Sequence, residues 1–169
     1  MRKSIAFVAV GLATIASSFG VSAQSGESGG IGLSRSDWED IYGKGEFGQS
    51  LVEYRTKDGL PIFVGYTDGN ITSIEVTISE TENGGITSDQ ANAFVKQLLP
   101  FDAERDETFS VLATPAHPTL TLQIQSWESD WLEETVGDDR ETILVILQET
   151  HAEDRMDTII TGVSLLLED

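Results

Sequence analysis

Carboxylates dominate the side chains here that could do chemistry. They occur in close pairs at Asp37/Asp40, Asp102/Glu104/Asp106, Glu133/Glu134, Asp138/Asp139 and Glu153/Asp154. Acid–base catalysis needs two such groups whose pKa values are driven apart by burial. These pairs fall in hydrophilic stretches, where solvated surface is the expected state. Asp102, Glu104 and Asp106 alternate oxygen donors as a calcium loop does, but lack the glycine turn and twelve-residue spacing of a calcium hand. The two histidines, His117 and His151, fall in expected loops, and neither has a second histidine at helical spacing to share a metal.

Two motifs match by letter only. Gly43-Lys44-Gly45-Glu46-Phe47-Gly48 satisfies G-x-G-x-x-G, but the dinucleotide version follows a strand and opens a helix. Here a helix is expected before it and a strand after it, and Glu46 would repel phosphate. Gly26-Glu27-Ser28-Gly29-Gly30 matches the nucleophile elbow, which works only where a strand and a helix clamp the serine. With no cysteine in 169 residues, thiol catalysis, thiolate metal sites and disulfides are excluded. No catalytic, cofactor-binding or metal-ligating residue is therefore assigned.

The amino terminus sets the compartment. Arg2 and Lys3 precede an apolar stretch from Ile5 to Ile15, and Val21 and Ala23 supply small residues at −3 and −1 of a cleavage site. A basic start, a short apolar core and a small-residue exit are the three parts of a secretory signal. The apolar run is shorter than the roughly 20 residues a bilayer span needs. The expected product begins at Gln24 and is periplasmic or secreted, without a membrane anchor. Without Arg2 and Lys3, 8 basic residues face 29 acidic ones, a formal charge of −21. Such a surface repels nucleic acid and anionic lipid, and favours a basic protein or a cationic ligand. The acids are scattered, with no block of five like charges, so the charge also serves solubility or salt adaptation.

The elements that must position any site follow from periodicity and turn chemistry. Residues 24–32, QSGESGGIG, are rich in Gly and Ser and are expected to be a flexible linker, with a single α+β domain over 33–169. Ser34 to Asp37 has capping-box spacing; Trp38, Ile41 and Tyr42 share a helical stripe that Gly43 ends. Strands are expected over 50–56, 60–66 and 71–78, the last two joined at Asp68-Gly69, whose tight turn needs positive φ. In the third strand Ile74, Val76 and Ile78 alternate with Ser73, Glu75 and Thr77. Thr87-Ser88-Asp89-Gln90 is a second capping box; it opens a helix with Ala91, Phe94, Val95, Leu98 and Leu99 on one stripe and Pro100 as its stop.

Residues 102–107 are expected as an acidic loop, then strands over 108–113 and 119–125. A short helix follows with Trp127, Trp131 and Val136 inward, Trp127 sitting at its start. The most apolar strands, 142–150 and 158–167, close the chain. Ser36-Asp37-Trp38 and Ser129-Asp130-Trp131 each precede acids and a glycine, which suggests a duplicated unit over 33–100 and 107–169. The expected fold is an antiparallel β-sheet with short helices packed on one face.

Leu33-Ser34-Arg35-Ser36-Asp37-Trp38, running to Gly43 and a hairpin closed at Asp68-Gly69, resembles the small exported bacterial fold of outer-membrane assembly lipoproteins and β-lactamase inhibitor proteins. The likeness covers about 45 residues, and this chain lacks the lipidated cysteine and the disulfides. It implies helices on an antiparallel sheet and a non-enzymatic, protein-binding role. The leading functional expectation is thus a non-catalytic binding module. The alternatives are a small secreted hydrolase using carboxylates and a cation-binding or salt-adapted surface protein.

Export predicts one mass directly. Protein recovered from outside the cytoplasm of a secreting bacterium should begin at Gln24 by intact-mass measurement, and a chain retaining Met1 would contradict the processing.

Overall fold

The computed structural model describes residues 29–48, 51–56, 59–78, 84–114, 117–136, 142–151 and 158–168. The expected signal segment and the remainder of the expected linker lie outside them, as do the acidic pairs at 138/139 and 153/154. In chain order the elements are α1 (Arg35–Tyr42), β1 (Glu46–Phe47), β2 (Val52–Arg55), β3 (Pro61–Thr67), β4 (Asn70–Thr77), α2 (Ser88–Leu98), β5 (Glu104–Thr114), β6 (His117–Glu128), α3 (Asp130–Val136), β7 (Thr142–His151) and β8 (Thr158–Leu167). The fold is α+β, with one eight-stranded sheet in the order β1-β2-β3-β4-β8-β7-β6-β5.

Every pairing is antiparallel. Two four-stranded meanders meet at β4 and β8, which pair from Ser73↔Leu166 to Thr77↔Gly162. The chain therefore leaves the centre of the sheet after β4 and re-enters at its far edge, β5. That crossing spans four strand spacings, about 19 Å, and the eleven-residue α2 covers most of it at about 16 Å.

Local chemistry fixes the connections. Asp68 (φ 53°) and Gly69 (φ 90°) give the β3–β4 hairpin its primed two-residue turn. In α2 the Thr87 hydroxyl accepts from the Gln90 N–H at 3.3 Å, and the Thr87 N–H donates to Gln90 Oε1 at 2.8 Å, a reciprocal capping box. In α1 the Ser34 hydroxyl accepts from the Asp37 N–H at 3.3 Å, and the Gly43 N–H closes the helix on Glu39 O at 2.8 Å.

One face of the sheet holds the core. Its rows run across the strands as Val52, Val64, Ile74, Leu165, Val145, Gln125 and as Tyr54, Ile62, Val76, Val163, Leu147, Gln123. From above, α2 buries Ala91, Phe94, Val95 and Leu98, while α3 buries Leu132 and α1 buries Trp38. Trp38 stacks on Tyr42 with ring centroids 4.2 Å apart and meets Tyr54 edge-on at 6.0 Å. The Tyr54 and Tyr66 hydroxyls then bond at 2.8 Å. α1 is thus pinned by aromatic contacts, and Ile41 turns to solvent instead of completing the expected stripe.

A polar chain ties β6 to α2 within the core. Trp127 Nε1–H donates to Gln125 Oε1 at 3.1 Å, Gln125 Nε2–H to Asn92 Oδ1 at 3.0 Å, and Asn92 Nδ2–H to Ser88 O at 2.9 Å. Gln125 is fully buried, so these bonds replace the water it lost.

The largest departure from expectation is at the amino-terminal edge of the domain. Residues 29–32 are not linker: all four are buried. The Ile31 N–H donates to Leu98 O at 3.0 Å and the Gly32 N–H to Ile71 O at 2.9 Å, so the segment is a strap between the end of α2 and the start of β4. Its glycines are there for proximity. A Cβ on Gly30 would sit 2.8 Å from Ile74 Cδ1, and one on Gly32 would sit 2.6 Å from Leu132 Cδ2. Composition that ordinarily signals flexibility here permits close approach.

Three further expectations change. The acidic stretch 104–107 is strand, forming the start of β5, because an edge strand can turn charges to water on both sides. Trp127 belongs to β6, not to the start of a helix, and is buried, whereas Trp131 is only partly covered and Leu132 anchors α3. The two tryptophan helices also differ in setting: α1 is followed by four strands before the next helix, α3 by two.

Two measurements test this packing. Gly32 and Gly43 share a positive φ, 84° and 81°, but a Cβ on Gly43 meets nothing within 4 Å. Gly43→Ala should cost about 1 kcal/mol from backbone strain alone, and Gly32→Ala about 1–3 kcal/mol more from overpacking, by chemical denaturation. The second concerns pH. Burial, and then the Tyr54 hydrogen bond, raise the Tyr66 phenol above its ordinary value. The folded state therefore favours the neutral form: this contribution is complete below the unfolded value near pH 10 and is lost as pH rises beyond it. Melting temperature should fall more steeply above about pH 10 in the native protein than in Tyr66→Phe.

Candidate binding surface

The sheet has a second face, and no described helix covers it. Registers place Glu53, Phe63, Glu75, Ser164, Ile146, Ile124 and Phe109 in one row across it. A neighbouring row runs Ser73, Leu166, Leu144, Ser126, and another Thr77, Gly162, Gln148, Leu122, Val111. The chemistry changes along these rows. Over β2–β4 the face carries Glu53, Ser73, Glu75 and Thr77 around Phe63; over β5–β8 it carries Phe109, Val111, Leu122, Ile124, Leu144, Ile146 and Leu166.

That second half is a contiguous apolar field on a surface that is otherwise strongly acidic. Phe109 is 49% and Val111 43% exposed, and Leu122, Ile124, Leu144, Ile146 and Leu166 are half-buried. Scattered apolar side chains are normal on a surface, but a contiguous field rimmed by charge marks a contact surface. Glu75 is exposed beside it, and Glu53 is held by the Arg55 guanidinium at 2.5 Å.

A signal for this face was present in the sequence. β7 is apolar in both parities, with Ile143, Val145 and Leu147 on one side and Leu144 and Ile146 on the other. A strand apolar on both sides is expected where both faces are covered. Among the described residues, helices cover only one. The alternation of β4 gave the opposite result, with Ser73, Glu75 and Thr77 outward, as its sequence indicates.

Each described residue with candidate chemistry has a definite place. Asp37 accepts from the hydroxyl of Ser34, the N-cap of α1, at 2.6 Å, and Asp40 is exposed. Asp102 accepts from the Ser129 hydroxyl at 2.7 Å and from the Trp131 N–H at 2.9 Å, while Ser129 Oγ accepts from the Leu132 N–H at 3.3 Å. Its carboxylate therefore fastens the start of α3 to the end of α2. Glu104 and Asp106 are exposed on β5, and Glu133 and Glu134 are exposed on α3. His117 opens β6 and His151 ends β7, which places both at the same end of neighbouring strands.

Among the described residues, no three of His, Cys, Asp or Glu converge as metal ligands. Gly43 to Gly48 follows α1, contains β1 and does not open a helix. Ser28 lies outside the described residues. Trp38 and Trp127 are core side chains, as expected for Trp38. A groove of about 470 Å³ lies beside α2 and β5, walled by Phe101, Pro100 and Trp127, with the Arg105 guanidinium 5.7 Å over the Trp127 ring.

Comparison of the chain with protein-family models, with curated proteins and with solved structures finds no match.

Proposed function

We propose that this chain is a non-catalytic binding module acting outside the cytoplasm, and that it engages its partner through the open half of its sheet. The observation that carries this reading is the contiguous apolar field of Phe109, Ile124, Leu144, Ile146 and Leu166, set in a surface of net negative charge. Burying such a field against a partner would contribute about 25 cal/mol per Å² of apolar area removed from water. The surrounding acids select for basic groups at the rim and speed encounter. The partner is therefore a protein segment with an apolar strip and lysine or arginine flanks. The export signal supports the compartment, and the resemblance of the opening helix to exported assembly and inhibitor proteins points to the same class of role.

An alternating Val/Lys peptide of about ten residues supplies that chemistry as a probe. In an NMR titration it should shift the amides of Ile124, Leu144 and Ile146, and Ile146→Glu should weaken its binding at least tenfold while leaving the fold intact. The matching Val/Glu peptide should not bind. Shifts confined to acidic loops, or affinity unchanged by Ile146→Glu, would overturn the assignment.

A further inference from the structure

Among the described residues the outer strand β5 has one neighbour in the sheet, β6, and no described strand pairs with the N–H and C=O groups on its other side. Its eleven residues are protected unevenly. The first four, Glu104 to Glu107, carry three acids and an arginine, and the register against β6 shifts between Arg105 and Thr108. A second shift lies between Leu112 and Thr114. Between these irregularities, Thr108, Phe109, Ser110, Val111 and Leu112 pair residue for residue with Gln125 back to Thr121. This window contains no charge, no proline and no glycine, and Thr108 to Val111 are all exposed. Charges and bulges are the ordinary means of blocking edge-to-edge pairing. They bound this window and are missing from it.

We infer that this window is a self-complementary edge through which two copies of the chain join, β5 to β5 and antiparallel, with Ser110 on the two-fold axis. The sequence fits that register on three counts. Phe109 of each copy meets Val111 of the other, an aromatic–β-branched pair of the stabilising kind. The flanking acids lie outside the regularly paired window, so no like charges face each other within it. Opposed residues also share a face: Phe109 and Val111 both belong to the open side, so the two apolar fields become continuous. A one-residue slip would put the helix-covered side of one copy level with the open side of the other.

Two opposing magnitudes set the strength of the contact. A pairing of about five residues per copy is small beside the 1,200–2,000 Å² of a standard interface, so the dimer is weak and concentration-dependent. The charge of each copy, −19 with the leader and −21 without it, adds a long-range repulsion that salt screens. Dimerisation therefore strengthens as ionic strength rises. This inference is independent of the binding role proposed above, since the edge can pair whether or not the open face receives a partner.

The absence of cysteine provides a direct test. Antiparallel partners lie about 4.5–5.5 Å apart at Cα, within the range a disulfide spans. Under mild oxidation Ser110→Cys should yield a covalent dimer as its main product, whereas Ala93→Cys on the exposed side of α2 should remain monomeric. Sedimentation of the native protein should show the dimer fraction rising between about 0.02 M and about 0.5 M salt. Ser110→Lys and Ser110→Glu should each weaken self-association at least tenfold, and an equimolar mixture should restore it, because unlike charges then meet on the axis. The proposal fails if Ser110→Cys cross-links no faster than Ala93→Cys, or if the native protein stays monomeric at every salt concentration. It also fails if the mixture does not recover, or if the covalent product in an envelope extract has a mass other than twice that of the chain.

Discussion

The antiparallel seam between β4 and β8 is the contact on which the rest of this molecule depends. Five residue pairs join two meanders that are otherwise linked by a single crossing of the chain. On the covered side the seam sets Ile74 beside Leu165 and Val76 beside Val163, all essentially inaccessible to water. The strap residue Gly30 lies against Ile74 and the carbonyl of Leu98, so the amino-terminal segment, the end of α2 and the seam pack as one unit. Loss of the seam would expose the apolar sides of both meanders together. A chain with no disulfide has only this kind of burial to hold it, which is why glycine is tolerated where the backbones approach most closely.

The same seam divides the open face by chemistry. The strands on one side of it present Glu53, Ser73, Glu75 and Thr77, and those on the other present Ile124, Leu144 and Ile146. A sheet covered by helices on one side only leaves its second face to the composition of each meander. The first meander alternates as a half-buried sheet should, and the second does not. Apolar surface on this face is therefore concentrated in the carboxy-terminal meander, and the edge strand β5 extends that same field to the boundary of the sheet.

Particular residues show how far local rules carried. Thr87 and Gln90 are near in sequence and satisfy each other's backbone, so the capping box forms as written. Asp68-Gly69 likewise encodes its turn in two residues. β8 spans the expected 158–167, because a run of β-branched and apolar residues bounded by charge leaves no competing conformation. The indole of Trp127 can anchor a helix or a strand equally well; its partner Gln125, two residues back, decides for the strand. The acidic residues 104–107 read as a loop on polarity, which does not distinguish a loop from an edge strand.

Periodicity and turn residues determined the α+β class, the primed hairpin, both capped helices and the inward face of β4, since each depends on contacts within a few residues. Composition determined the absence of thiol chemistry and the high negative charge. The order of the strands, the burial of Gly29–Gly32 and the lack of a described helix over one side of β7 came only with tertiary structure. Those features depend on which surfaces meet across the sheet, and a glycine next to solvent has the same local sequence signature as a glycine pressed against Ile74. For the same reason the apolar field, spread over four strands between Phe109 and Leu166, existed in the sequence only as separate residues until the registers aligned them.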